Sequence, residues 1–349
     1  MNRPRRSILR LATAVLALAA ALALAACGTK EERAVAPGTE PLDLVLDYFP
    51  NADHAGIYGA IASGAYRDAG LDVRPKTPSD PSAPLKLLAS RKADLVISYE
   101  PELLLARDKG ADLVAVGAIV QAPLTSLVSL PAGRIRNPAD LRGKTVATAG
   151  IPYQSAYLRT ILREASVDPA DVREVNVGFN LVPALLSRRA DAVLGMFWNY
   201  EGVELQLQKR NPRIIRMEQV GVPTYNELIF VARREDLEEQ SNKVRRFLQA
   251  TAFGYQSLRT DPEPAIDALL DANPDLDRKL QEASVKATLP VFFPKNEERP
   301  FGYMDLAAWR RYAQWMYDQK LLDQPADIAR SATNELLPGM GLPTTRVPR

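Results

Sequence analysis

From residue 42 the chain alternates short apolar runs with amphipathic stretches, and midway it begins that pattern again. LDLVLDY (42–48), LDVRPKT (71–77), DLVISY (94–99) and LVAVGAIV (113–120) read as strands. Between them HAGIYGAIASGAYRDAG (54–70), APLKLLASRKA (83–93) and EPELLLARDKG (100–110) have helical spacing, with Gly70 and Gly110 as C-caps. Strands that are apolar nearly throughout, alternating with helices, predict a parallel sheet covered on both faces.

The second round opens with an extended run, SLVSLP (126–131), followed by the strands TVATA (145–149), REVNVG (173–178) and DAVLGMF (191–197). SAYLRTILREA (155–165) and LVPALLSRRA (181–190) are its helices, and IIRMEQV (214–220) and ELIFVAR (227–233) are further extended runs. Beyond Arg234 the pattern is mostly helical. Extended passages near 126–131 and 227–233 predict a chain that crosses between two lobes twice. The expected division is a first lobe at 42–127, a second at 128–229, and a helical return at 230–349 that covers the first lobe. The fold class is therefore α/β and two-lobed, each lobe a mostly parallel sheet flanked by helices, with a ligand cleft between them.

The N-terminus sets the compartment. MNRPRRSILR is basic, LATAVLALAAALALAA is apolar, and small residues lead to Cys27, the only cysteine. That is an export signal over residues 1–26. Sixteen apolar residues are fewer than the roughly 20 that span a bilayer. LAAC resembles a bacterial lipobox, which implies lipid on the Cys27 sulfur and durable membrane attachment. Arg5 and Arg6 leave the Sec and twin-arginine routes both open. Residues 27–41 are polar with Gly and Pro, and read as a flexible tether. The signal carries four of the 44 basic residues, leaving 40 against 42 acidic. No basic excess remains to favour nucleic acid. With Cys27 lipidated no disulfide forms, and a monomer is expected.

Ligands of open α/β sheets bind outside the carboxyl ends of the strands. The segments in question are YFPNADH, SYEPE, AGIPYQS, FWNYEG and VPTYNE. They supply the candidate contacts Phe49, Asn51, His54, Tyr99, Glu100, Tyr153, Trp198, Asn199, Glu201 and Tyr225. Rings interleaved with amides and carboxylates suit a flat, polar heterocycle, and an ionised Glu accepts from its amino or ring N–H groups. Competing readings stand beside these. A single aromatic after a strand is commonly core. Glu100 serves equally to neutralise the N-terminus of its helix. His54, the only histidine, is a catalytic base, a ligand contact or a turn residue. One histidine and one cysteine exclude His/Cys zinc sites and a cysteine nucleophile, so no metal is expected. Gly143-Lys144-Thr145 imitates a phosphate loop, but Pro138 stands where its first glycine belongs and a strand follows.

DYFPNADHAGIYGAIASGAYRDAGLDV closely resembles the opening of the NMT1/THI5-like solute-binding proteins, and DAVLGMFWNYEGVEL resembles a later segment. The likeness is greatest to the members that bind pyrimidine precursors of thiamine. It implies a type II periplasmic-binding fold and delivery of a formylaminopyrimidine to an ABC permease. It also implies that Asn51, His54, Tyr99, Glu100, Trp198, Asn199 and Glu201 face the cleft. Riboflavin, a sulfonate and nitrate are alternative ligands on the same fold. The family also holds a pyridoxal-phosphate-dependent pyrimidine synthase. Where that enzyme carries its cofactor lysine, donor histidine and cysteine-rich iron motif, this chain reads Ser98, Glu102 and VPTYNE. No cofactor and no catalytic residue are expected.

Overall fold

A computed structural model describes residues 38–340. The signal segment, Cys27 and the greater part of the expected tether lie outside the described residues.

Two five-stranded sheets form the body. The first comprises β1 (Glu40–Val45), β2 (Leu71–Lys76), β3 (Leu95–Ser98), β4 (Leu113–Ala118) and β10 (Ile229–Arg233), in the order β2-β1-β3-β10-β4. The second comprises β5 (Thr125–Ser129), β6 (Thr145–Thr148), β7 (Arg173–Asn176), β8 (Ala192–Phe197) and β9 (Arg213–Arg216), in the order β7-β6-β8-β5-β9. In each sheet one strand runs antiparallel to its neighbours: β10 against β3 and β4, and β5 against β8 and β9. These are the first strand laid down after each crossing between lobes. Strands β3, β4 and β5 are buried along their whole length, even though β4 lies at the edge of its sheet, which explains their continuous apolar runs.

Several sequence boundaries move. The tether ends before 41, because Glu40 and Pro41 already pair with Leu71 and Asp72. Pro41 is tolerated there because only Leu44 and Val45 of β1 have a second neighbour, in β3. β5 begins at Thr125, so the change of sheet falls before residue 125, not between 127 and 128. The single helix expected over 54–70 is two pieces, Ala55–Ala62 and Ala65–Asp68, parted at Gly64 with φ of 82°.

The C-terminal helices Arg234–Ser257 and Glu263–Ala272 pack on Ala55–Ala62 of the first lobe. The helix Arg278–Phe292 also reaches the second lobe, touching Glu201–Leu207. Tyr312, on the helix Leu306–Asp318, shares a hydroxyl contact with Tyr157 on Pro152–Glu164. The return segment therefore braces both lobes rather than covering one.

The two crossings run side by side, with Ile119 N–H donating to Leu228 O at 2.7 Å. Glu227 fastens them. Its Oε2 accepts from the backbone N–H groups of Leu124 and Thr125 at 2.7 and 2.9 Å and from the Tyr225 hydroxyl at 2.8 Å. Its Oε1 accepts from Thr125 Oγ1 at 2.9 Å. Burial raises the pKa of this carboxyl, and the donors around it pull the other way.

Candidate functional site between the lobes

The carboxyl ends of β1, β3, β6 and β8 face one another across the lobes. Between them lies a hollow lined from the first lobe by Asp47, Tyr48, Asn51 and Tyr99, and from the second by residues including Gln154, Phe197, Tyr200 and Glu201. The space between its wall atoms is about 350 Å³, of which only about 20 Å³ is wide enough for water. That is room for one molecule. The lobes are closed upon it, and a ring enters only when they part.

Each polar wall group is held from behind. Asp47 Oδ2 accepts the Tyr99 hydroxyl at 2.9 Å, and Oδ1 lies 2.9 Å from His54 Nε2. His54 Nδ1 accepts the Asn51 backbone N–H at 3.2 Å, so the ring carries its proton at Nε2 and donates to Asp47. Asn51 caps the short turn Ala52–His54 through Asp53 N–H at 2.8 Å. Across the cleft, Glu201 Oε2 accepts the Phe197 N–H at 2.9 Å. Burial lifts its pKa from the ordinary 4.5 to about 7. Gln154 Oε1 accepts the Ala149 N–H at 2.8 Å, and its Nε2 lies where a Cβ on Gly195 would be, 2.3 Å away. Gly195 has φ of 113° and admits no side chain there.

A second group of contacts closes the lobes. Asn199 Nδ2 donates to Asp53 Oδ1 at 2.7 Å and to Thr288 Oγ1 at 2.6 Å. Burial pushes the Asp53 carboxyl up to about 7, with nearby Asp47 and Glu201 adding to the rise and His54 opposing it. The Tyr48 hydroxyl donates to Phe179 O at 3.0 Å, and Phe49 packs beside Tyr48, Phe179 and Tyr200 at the rim.

Of the sequence-derived candidates, Asn51, Tyr99 and Glu201 line the hollow. Phe49 stands at its rim, His54 behind Asp47, and Asn199 at the lobe closure. The others point elsewhere. The Tyr153 and Tyr225 hydroxyls turn to Glu227, at 3.2 and 2.8 Å. Trp198 donates from Nε1 to Pro123 O at 3.0 Å and is covered on its face by Arg216 at 4.0 Å, so the indole belongs to the hinge. Glu100 accepts the Asn226 N–H at 2.8 Å and lines a different hollow. Asp47, Tyr48, Gln154, Phe197 and Tyr200 are the polar and aromatic wall residues that lie outside those candidates. Asp47, just past the end of β1, was open to detection by the strand-end rule.

The wall thus offers two carboxylates, two side-chain amides, tyrosines and apolar faces, and none of its residues is Arg, Lys or His. It accepts hydrogen bonds and stacks rings, and it offers an anion no cationic partner. Among the described residues no cluster of three His, Cys, Asp or Glu is placed to hold a metal, and no helix is long and apolar enough to cross a membrane.

Residues 51–265 match the family described as NMT1/THI5 like. The chain is 33% identical to the formylaminopyrimidine-binding protein of Halalkalibacterium halodurans, over 91% of this chain and 97% of that one. It is 26% identical to a 4-amino-5-hydroxymethyl-2-methylpyrimidine phosphate synthase of Legionella pneumophila, over 84% and 92% respectively. Among solved structures, the alkanesulfonate-binding protein SsuA of Xanthomonas axonopodis pv. citri aligns with a TM-score of 0.66 at 18% identity, covering 86% of this chain and 99% of that one. The two sheets, their shared hollow and these matches together lead to one conclusion: the chain is a member of the NMT1/THI5-like family with the two-lobed α/β fold of periplasmic binding proteins.

Proposed function

We propose that this protein is the solute-binding component of an ABC importer and captures a pyrimidine precursor of thiamine, of the hydroxymethylpyrimidine or formylaminopyrimidine class. The observation that carries the reading is a hollow shared by both lobes whose charged groups are Asp47 and Glu201 alone. An aminopyrimidine supplies N–H donors to those oxygens and a ring face to Tyr99, Phe197 and Tyr200. Contact with both lobes gives the ligand its preference for the closed state, which it stabilises beyond the contacts the lobes make with each other. The closed form then docks on its permease.

The signal at 1–26 and the lipobox-like LAAC support export and attachment through lipid on Cys27, on the periplasmic or extracellular side. The protein acts as a monomer. A wall without Lys leaves pyridoxal phosphate no amine to attach to, which disfavours the synthase. A wall without Arg or Lys disfavours sulfonate and nitrate.

The test is mass spectrometry of small molecules released from natively purified protein, followed by calorimetry with the compound recovered. A pyrimidine carrying an exocyclic amine is the expected result. Recovery of an anion or a sugar overturns the assignment.

A further inference from the structure

The lobes meet through acids. Asp47 and Asp53 stand on the first lobe and Glu201 on the second, and all three are buried where the lobes touch. Among the described residues the only basic group paired with any of them is His54, at Asp47, and its ring is neutral with the proton on Nε2. Closure therefore brings one carboxyl toward two others with no cation between them. Acids so placed disfavour one another's ionised form.

Asp53 is the acid in the latch itself. Asn199 Nδ2 crosses from the second lobe to its Oδ1 at 2.7 Å, and Thr288 Oγ1 lies 3.3 Å from the same oxygen. Ionised, Asp53 is a buried anion with its donors on one oxygen and none on the other. Protonated, it loses the charge and keeps an acceptor for Asn199. Asp47 and His54 face it from its own lobe, Glu201 and Tyr200 from the other, and Tyr255 donates to its backbone oxygen at 2.6 Å. On the helix Arg278–Phe292 packed against it, Lys279 and Lys286 are exposed and Arg278 pairs with Glu282, Glu263 and Asp267. Tyr58 is the titratable group of Ala55–Ala62, and Asp271 of Glu263–Ala272 is exposed.

We propose that closing the lobes takes up a proton on Asp53, so that the Asp53–Asn199 latch is a proton-operated clasp. Parting the lobes withdraws Asn199 and Glu201 and admits water, and the carboxyl then ionises in its ordinary range. In the closed form burial raises it from 3.8 to about 7. Between those two values closure takes up a proton, and the open-to-closed ratio rises with pH by up to about tenfold per unit. Above about pH 7 both forms are ionised and the ratio levels. The inference goes beyond the proposed transport role and stands without it.

The test is small-angle scattering of the purified ligand-free chain from about pH 5 to about pH 8. The radius of gyration should rise over that interval as the lobes part. Asp53→Asn, neutral at every pH and still an acceptor for Asn199, should hold the closed radius throughout. Asp53→Ser, a second neutral replacement, should likewise lose the pH dependence, whereas Glu201→Gln should still open as pH rises. Infrared spectra at about pH 6 should show the carbonyl stretch of a protonated carboxyl that Asp53→Asn lacks. A wild-type radius that ignores pH, equal opening in the Asp53 variants, or an acid carbonyl band unchanged by Asp53→Asn would overturn the proposal. No ligand enters either measurement, so failure here and failure of the pyrimidine reading are told apart.

Discussion

His54 stands one layer behind Asp47: its Nε2 lies 2.9 Å from Asp47 Oδ1, while its Nδ1 accepts the Asn51 N–H at 3.2 Å. The only imidazole in the chain therefore does not line the hollow. It fixes the carboxylate that does, and it joins that carboxylate to the turn at Ala52–His54.

Removal of the wall carboxylates should separate binding from folding. Asp47→Asn and Glu201→Gln each delete a charged acceptor worth about 1.5–3 kcal/mol to an N–H donor. Calorimetry with an aminopyrimidine ligand should show a loss of about tenfold or more in each. Wild-type affinity in both would remove the hollow from consideration.

His54→Ala should act on stability as well as affinity. It leaves Asp47 Oδ1 and the Asn51 N–H without their present partner in a fully buried position. Such a loss costs about 1–3 kcal/mol. The thermal midpoint should fall by several degrees and ligand affinity should fall with it. A change in affinity alone would mean that the imidazole contacts the ligand directly.

Stability of the ligand-free protein should decrease as pH rises through the acid-to-neutral range. Glu201 is raised from 4.5 and Asp53 from 3.8, each to about 7. Across that interval the folded carboxyls keep protons that the unfolded chain has released, so each rise in pH favours unfolding. Above about pH 7 both are ionised and the penalty is complete. Thermal midpoints measured from about pH 5 to about pH 8 should fall, and Glu201→Gln should flatten part of the slope. An unchanged slope in that variant would assign the effect to other groups.

Asn199→Ala should weaken closure without touching the wall. Asn199 joins Asp53 of the first lobe and Thr288 of the return helix, at 2.7 and 2.6 Å. Loss of this latch lowers the closed fraction, and apparent affinity falls in proportion. Small-angle scattering of the unliganded variant should give a larger radius of gyration than wild type; an identical profile and affinity would deny it that role.

Gly195→Ala should damage both fold and site. The new Cβ would meet Gln154 Nε2 at 2.3 Å, at a backbone φ of 113°. Strain of this kind costs about 1–3 kcal/mol, and Gln154 must leave the wall to relieve it. Urea unfolding should show a lower midpoint, and calorimetry weaker binding.

The fold was readable because hydrophobic period and helix caps both act locally. The repeated alternation and the two extended crossings carry the whole architecture. What a strand end does with each side chain depends on the opposite lobe, and no local signal encodes that. Trp198 follows β8 as the strand-end rule requires, yet Pro123 and Arg216 draw it to the hinge. Tyr153 is claimed by Glu227, an acid 74 residues along the chain, which also takes the hydroxyl of Tyr225 two residues before it. Asp47 escaped notice for the opposite reason. An acid beside a turn is common, and only its contacts with Tyr99 and His54 mark it as preorganised.

Glu227 has a mechanical consequence. Two peptide passages that met only at their ends would let the lobes twist, shear and open independently. Pinned to one carboxylate through Leu124, Thr125 and Tyr225, they form a single pivot. Gape then varies along one coordinate, and the rims of the two lobes return to the same register with every swing.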